Sequence, residues 1–156
     1  MSLTFASFNV HLLMRLLFSV LIGGIIGWNR QKAGKPAGLR THMLVCLGAA
    51  LMVLIPFQIN STPNPDAVSR VVQGVATGFG FLGAGEIVQQ SMQGVGKPKI
   101  QGLTSAAAIW ITAALGIATG CGFWLTSFLG TLLVWLILVL ALKVERLISG
   151  SSKGES

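Results

Sequence analysis

Five apolar stretches, each long enough to cross a lipid bilayer, divide this chain. A hydrocarbon core about 30 Å thick requires roughly 20 helical residues to cross it. In lipid only helices and closed barrels satisfy the backbone hydrogen bonds, and these stretches are about twice as long as a barrel strand. The sequence therefore predicts an all-α membrane protein, a polytopic bundle of about five transmembrane helices. The stretches are residues 14–27 (with a lead-in at 11–13), 39–57, 68–88, 103–122 and 123–142.

The composition leaves room for one domain. The mean hydropathy is +0.77, and 10% of the 156 residues are charged. Five crossings take up roughly 100 residues, so we expect no separate soluble domain within this sequence. The transmembrane domain is predicted to cover residues 1–148, and the Ser- and Gly-rich residues 149–156 to form a disordered tail.

Most of the basic residues lie between alternate stretches. The net charge is +7, yet the loops at 58–67 and 120–122 contain no Lys or Arg. This alternation follows the positive-inside rule, and it predicts an amino terminus outside and a carboxyl terminus in the cytoplasm. Because the charges follow the topology, we expect no nucleic-acid partner. The basic residues assigned to the cytoplasm are Arg30, Lys32, Lys35, Arg40, Lys97, Lys99, Lys143, Arg146 and Lys153.

Small residues recur at four-residue spacing in helices one, three and four. Lipid supplies no hydrophobic drive between helices, so small residues allow the close backbone approach that holds them together. We expect helix three, with Gly80 between Ala76 and Ala84, to form the buried centre of helices one to four. Helix five is bulky and apolar, which predicts a lipid-facing helix or a dimer surface. The predicted packing glycines are Gly23, Gly27, Gly74, Gly78, Gly80, Gly83, Gly116 and Gly120.

Glu86 is the most informative polar residue, because it lies roughly 6 Å inside helix three by helical rise. A carboxylate at that depth requires a partner or water. Helix two begins at the same depth with Arg40 and His42, and Arg30 ends helix one. We predict a polar cluster of these residues. It is either a structural ion pair or a proton or cation site, and the sequence leaves both open.

Arg15 is a second charge inside the membrane, about 10 Å into the outer half of helix one. It lies at the opposite depth from Glu86, so the two cannot pair. Its long stem allows the guanidinium to reach outward. We expect a structural role, with Asp66 as the partner.

The residues that most enzymes use are scarce here. The chain has four acidic residues and two histidines, none at metal-ligand spacing. A phosphate-binding loop of the Gly-x-x-x-x-Gly-Lys type is also absent from the sequence. We therefore expect no catalytic residues, no metal site, no cofactor and no enzymatic activity.

Four segments carry a resemblance to a known family. The longest is GIIGWNRQKAGKPAGLRTHMLVCLGAA at residues 24–50. The others are GFGFLGAG at 78–85, QGLTSAA at 101–107 and WITAALG at 110–116. Together they closely resemble the MgtC/SapB family of bacterial inner-membrane proteins.

The resemblance implies about five membrane helices and a role in adaptation to low magnesium, acid or intracellular stress. Longer members carry a soluble carboxyl-terminal domain, and we expect this chain to be a short form without it. Two residues depart from the family pattern. Asn29 stands where an acid is common, and Glu86 stands where a small, polar or apolar residue is commoner. This suggests a carboxylate relocated to serve the same basic loop.

Two functions remain open at this point. The first is a non-enzymatic regulator that acts through other membrane proteins, which the family resemblance and the packing glycines favour. The second is an oligomeric transporter or channel for a cation, magnesium or a proton, or for a small solute, which Glu86 and Arg15 favour. For either, the expected partners are the lipid bilayer and a second copy in a homodimer. The basic loop at residues 30–40 suits anionic lipid head groups, an anionic ligand or an acidic partner.

Overall fold

The structure, a computed structural model, describes residues 2–60, 62–92 and 100–151, and the side chains of 9–60, 62–92 and 100–140. It confirms the all-α prediction, since every regular element in these residues is a helix. The fold is α1 (Ser2–Lys32), α2 (Leu39–Ile59), α3 (Pro65–Met92), α4 (Leu103–Gly120) and α5 (Trp124–Ser151).

The length and apolar composition of the helices support a multi-pass membrane protein. Within the described residues, α1 from Asn9, α2, α3 and α4 are each long and apolar enough to cross a bilayer. The part of α5 with described side chains, Trp124–Leu140, is apolar but shorter. The helix itself continues to Ser151, past the predicted domain boundary at 148. Residues 152–156 of the predicted tail lie outside the described residues.

α2 and α4 form the centre of the bundle, and close glycine contacts join them to each other and to α1. A Cβ added at Gly23 would lie 2.5 Å from the carbonyl oxygen of His42, and one at Gly27 would lie 2.7 Å from Cα of Leu39. Gly116 is equally close to the carbonyl oxygen of Cys46. At these positions any side chain would separate two backbones, which explains the requirement for glycine.

Similar contacts extend the pattern along α4 and across to α3. Gly120 lies against the backbone of Ala50. Gly83 is the one predicted packing glycine of α3 that meets a neighbouring helix, since its Cβ would lie 3.3 Å from Cβ of Ala106. These contacts leave α1, α2 and α4 as the tightest part of the fold.

The prediction that helix three is the buried centre is wrong for the single chain. Among its described residues, only Val75 and Gly83 are buried. A Cβ added at Gly74, Gly78 or Gly80 would meet nothing within 4 Å. The spacing of small residues shows that another helix can pack closely against this one. It does not specify which helix packs there. α3 packs chiefly on α4 along one side and leaves its glycines open.

α5 lies at the edge of the bundle, against α1 and α4. The hydroxyl of Thr119 donates a hydrogen bond to Oγ of Ser127 at 3.1 Å, which joins α4 to α5. The rings of Phe18 and Trp124 lie 5.4 Å apart. Between Trp124 and Leu140, most large apolar residues of α5 are exposed, among them Leu133 and Ile137, as a lipid-facing helix requires.

Candidate functional site

A group of polar side chains is buried where the loop between α1 and α2 meets α3 and α4. We call this end of the bundle the basic end, because the loop at residues 33–38 and its flanks carry Arg30, Lys32, Lys35 and Arg40. Antiparallel packing places the first turns of α2 and α4 here together with the last turns of α1 and α3. Four helices therefore contribute to one layer.

Arg30 is the largest fully buried side chain of the described residues, at 1% exposed. It follows Gly27 by about one helical turn, and the close contact of Gly27 with Leu39 brings α1 against the start of α2. Nη2 of Arg30 donates a hydrogen bond to Oγ of Ser105 on α4 at 2.7 Å. Nε of Arg30 is buried without a partner.

His42 lies one turn into α2 and is completely buried. Its Nδ1 is 2.9 Å from the carbonyl oxygen of Gly38. Because a carbonyl can only accept, Nδ1 carries the hydrogen, and in the neutral ring Nε2 is an acceptor. Nε2 is also buried without a partner. The charges of Arg30 and Glu86 both act on this ring, so the three groups share one electrostatic environment.

Glu86 is half-buried on α3, where its Oε1 accepts a hydrogen bond from Nε2 of Gln90 at 2.6 Å. The carboxylate lines a cleft of about 500 Å³. Thr41 of α2, Gln89 of α3 and Ile109 of α4 form part of its walls. Glu86 is therefore accessible from the cleft, whereas Arg30 and His42 are not exposed.

Arg40 lies outside this group, which corrects the predicted cluster. Its side chain is exposed and lines a neighbouring cleft with Gln31 and Gly38, which shares Pro36 and Thr41 with the Glu86 cleft but does not include Glu86. Arg40 and His42 are two positions apart, which is about 200° around a helix, so they cannot both face the bundle. The structure brings Arg30, His42 and Glu86 together and directs Arg40 away.

Two residues of the site are missing from the predicted polar cluster, although the sequence marks Asn29 as a departure from the family pattern. Ser105 is buried in the first turn of α4 and is the hydrogen-bond partner of Arg30. Asn29 has its side-chain oxygen buried without a partner. The available signals were the Ser in the QGLTSAA segment and the unusual amide at residue 29. We call Asn29, Arg30, His42, Glu86 and Ser105 the polar junction.

At the opposite end, Arg15 has a structural role, but its partner differs from the prediction. Nη1 of Arg15 donates a hydrogen bond to the carbonyl oxygen of Gly120 at 2.9 Å, rather than reaching Asp66. The last carbonyls of a helix lack intrahelical donors and carry partial negative charge. The guanidinium therefore caps α4. It lies so close to the turn that a Cβ at Gly122, where φ is +82°, would be 2.9 Å from Nη2.

The polar junction suits water better than a metal ion. In the part of the chain that the structure describes, no three His, Cys, Asp or Glu side chains are grouped to hold a metal. The permanent charge of Arg30 also repels a cation at this point. The junction has one unpaired N–H donor, Nε of Arg30, and two unpaired acceptors, Oδ1 of Asn29 and Nε2 of His42. Glu86, also in the junction, lines the cleft.

Comparison with known proteins identifies several relatives of this chain. "Protein SrpB" of Synechococcus elongatus is 50% identical over 129 residues, which cover 80% of this chain and 71% of SrpB. "Putative magnesium transporter YhiD" of Escherichia coli K12 is 39% identical over 135 residues, 83% of this chain and 60% of YhiD. "Protein MgtC" of Salmonella typhimurium is 34% identical over 122 residues, 78% of this chain and 48% of MgtC.

No solved structure matches this chain significantly. The family model described as the MgtC family matches residues 16–147, which include all five helices in whole or in large part. The matched region contains every residue of the polar junction. This chain therefore belongs to the MgtC family.

Proposed function

We propose that this chain is a non-enzymatic membrane regulator that acts by binding other membrane proteins along α3. The observation that carries the proposal is the unpacked side of this helix. We call it the open face of α3 and define it by Gln73, Gly74, Thr77, Gly78 and Gly80. All five residues are exposed in the chain.

The open face is poorly suited to lipid. Gln73 and Thr77 lie about 12 and 18 Å along α3 from its first residue, which is within the hydrocarbon layer. Their polar groups bond only within the helix, Gln73 to Ser69 at 3.3 Å and Thr77 to the carbonyl of Gln73 at 2.9 Å. Glycines beside polar groups are what helix–helix contacts in membranes use. A partner helix would satisfy the amide and fill the space over the glycines.

The interior of the chain also supports a regulator. Between the cleft at the basic end and the one that Arg15 lines lie Cys46, Ala49 and Val53, all fully buried. Gly116 packs directly against the backbone of α2 at this level. The described residues of a single copy thus leave no space at this level for a solute to pass between its ends.

We place the basic end in the cytoplasm of a bacterial inner membrane and the amino terminus outside. The loop residues Lys32, Lys35 and Arg40 are the support for this orientation. The role in magnesium, acid or stress adaptation comes from the family.

The experiment is capture of crosslinked partners from bacterial membranes. Thr77→Leu should reduce the yield of specific partners several-fold, since it places a bulky side chain on the open face. Thr126→Leu is the matched control, because Thr126 is exposed on α5. Equal capture by both variants and the unmodified chain would refute binding through α3. Recovery of the chain's own copies alone would indicate a homodimer instead.

A second candidate is an oligomeric transporter or channel for a cation or small solute. Glu86 in an open cleft favours it, as does the name of the relative YhiD, a putative magnesium transporter. Flux into proteoliposomes separates the two functions. A regulator should give no flux above empty vesicles, whereas a transporter should give flux that Glu86→Gln abolishes without loss of folded protein.

A further inference from the structure

Three buried polar atoms of the polar junction have no protein partner. They are Oδ1 of Asn29, Nε of Arg30 and Nε2 of His42. Buried polar groups in folded proteins are nearly always paired, with the protein or with ordered water. These atoms, two on the last turn of α1 and one in the first turn of α2, therefore each require an additional ligand.

The chemistry of the three atoms identifies that ligand. Nε of Arg30 can only donate a hydrogen bond. Oδ1 of Asn29 can only accept, and Nε2 of His42 accepts because Nδ1 holds the hydrogen that faces Gly38. Water has two hydrogens to donate and lone pairs to accept, so it satisfies all three. An anion would suit Arg30 but oppose both acceptors, and a cation would be repelled by Arg30.

Neighbours of these residues in their helices line the Glu86 cleft. Thr41, which lines the cleft, precedes His42 in the chain. Ile109, also on its wall, lies one helical turn after Ser105, the partner of Arg30. Glu86 itself acts electrostatically on both Arg30 and His42. The cleft is thus lined by residues that adjoin His42 and the partner of Arg30 in their helices.

We propose that the polar junction is an internal water site whose entrance is the Glu86 cleft. The site forms a hydrated inlet from the basic end. It ends at the buried Cys46 and Ala49, one and two turns beyond His42 on α2. Water held there keeps a buried Arg and a neutral imidazole stable within a membrane bundle. The proposal is independent of whether α3 binds partner proteins.

Solid-state NMR of the full chain in lipid bilayers tests the site. Transfer of magnetisation from water to the His42 ring should be fast although the residue is fully buried. Val53, equally buried but in the apolar centre, is the internal control and should receive magnetisation several-fold more slowly. His11→Gln leaves His42 as the single histidine to observe. A His42 rate as slow as that of Val53 would overturn the proposal.

A pair of variants tests the entrance. Gly85 lines the cleft, and a Cβ there would meet nothing within 4 Å, so Gly85→Leu should fold and block the opening. The transfer rate to His42 should then fall several-fold. Ala84 is exposed on the same helix but does not line this cleft, so Ala84→Leu should leave the rate unchanged. An unchanged rate in Gly85→Leu would show that water does not enter through the cleft.

Discussion

Nη2 of Arg30 donates a 2.7 Å hydrogen bond to Oγ of Ser105, and this contact links the end of α1 to the start of α4 across the bundle. Both residues are almost completely buried. Arg30 cannot be neutralised by losing its proton at any ordinary pH, so its charge must be held by such bonds and by water. The contact therefore adds a buried polar link between α1 and α4 to the close backbone packing of α4 on α2.

Removing that hydroxyl should destabilise the fold. Ser105→Ala leaves a buried charged donor without its partner, which typically costs about 1.5–3 kcal/mol. Thr104→Ala is the matched control, because Thr104 is the neighbouring hydroxyl and is exposed. Unfolding in detergent with increasing denaturant measures both. Equal unfolding free energies for the two variants would show that the Arg30 bond contributes nothing.

Glycines that touch a backbone should be far less tolerant than glycines that face outward. Gly116→Ala places a methyl group against the carbonyl of Cys46, and overpacking of this kind costs about 1–3 kcal/mol. Gly80→Ala adds a methyl group in open space and should be nearly neutral. The measurement is the yield of monodisperse protein after extraction in detergent. Equal loss at both positions would contradict the packing described for α4.

The sequence predicted the helices well because apolar length and Pro and Gly breaks are local signals. It also placed Arg30, His42 and Glu86 in one layer, since helical rise converts position into depth. It failed where the answer depends on rotation about a helix axis, as for Arg40. The prediction that α3 is the buried centre was also wrong, because the spacing of small residues does not determine which helix packs against them.

Arg15 illustrates a third kind of failure. A guanidinium can be satisfied by a carboxylate or by the free carbonyls at a helix end, and sequence alone favoured the carboxylate at Asp66. The structure selects the carbonyl of Gly120. The end of α4 lies 105 residues from Arg15 in the sequence, so their contact can be recognised only when the packing of the helices is known.

The α4 cap should make Arg15 more important than other charges at its end of the bundle. Arg15→Met should lower the unfolding free energy by about 1–2 kcal/mol, because the guanidinium is half-buried at a helix C-terminus. Arg70→Met should have little effect, since Arg70 is exposed on α3. Thermal unfolding in detergent compares them. A large effect of Asp66→Asn, similar to that of Arg15→Met, would instead support an Arg15–Asp66 pair.

The orientation can be tested by cysteine labelling in a background without Cys46 and Cys121. We expect cysteine at Thr62, an exposed residue between α2 and α3, to react with an impermeant thiol reagent added to intact cells whose outer membrane is permeabilised. Cysteine at Lys35, in the basic loop, should react only after the inner membrane is opened. The opposite pattern would invert the proposed topology.

Glu86 and Arg40 should behave as independent residues. Arg40 is exposed and does not line the Glu86 cleft, whereas Glu86 accepts a hydrogen bond from Gln90. Residues without a shared partner give additive effects, so the stability change of the Glu86→Gln and Arg40→Ala double variant should equal the sum of the single changes within about 0.5 kcal/mol. Glu86→Gln with Gln90→Ala is the positive control, because these two side chains are in contact and should be non-additive. Coupling between Glu86 and Arg40 as large as that between Glu86 and Gln90 would show that Arg40 interacts with Glu86, as the sequence predicted.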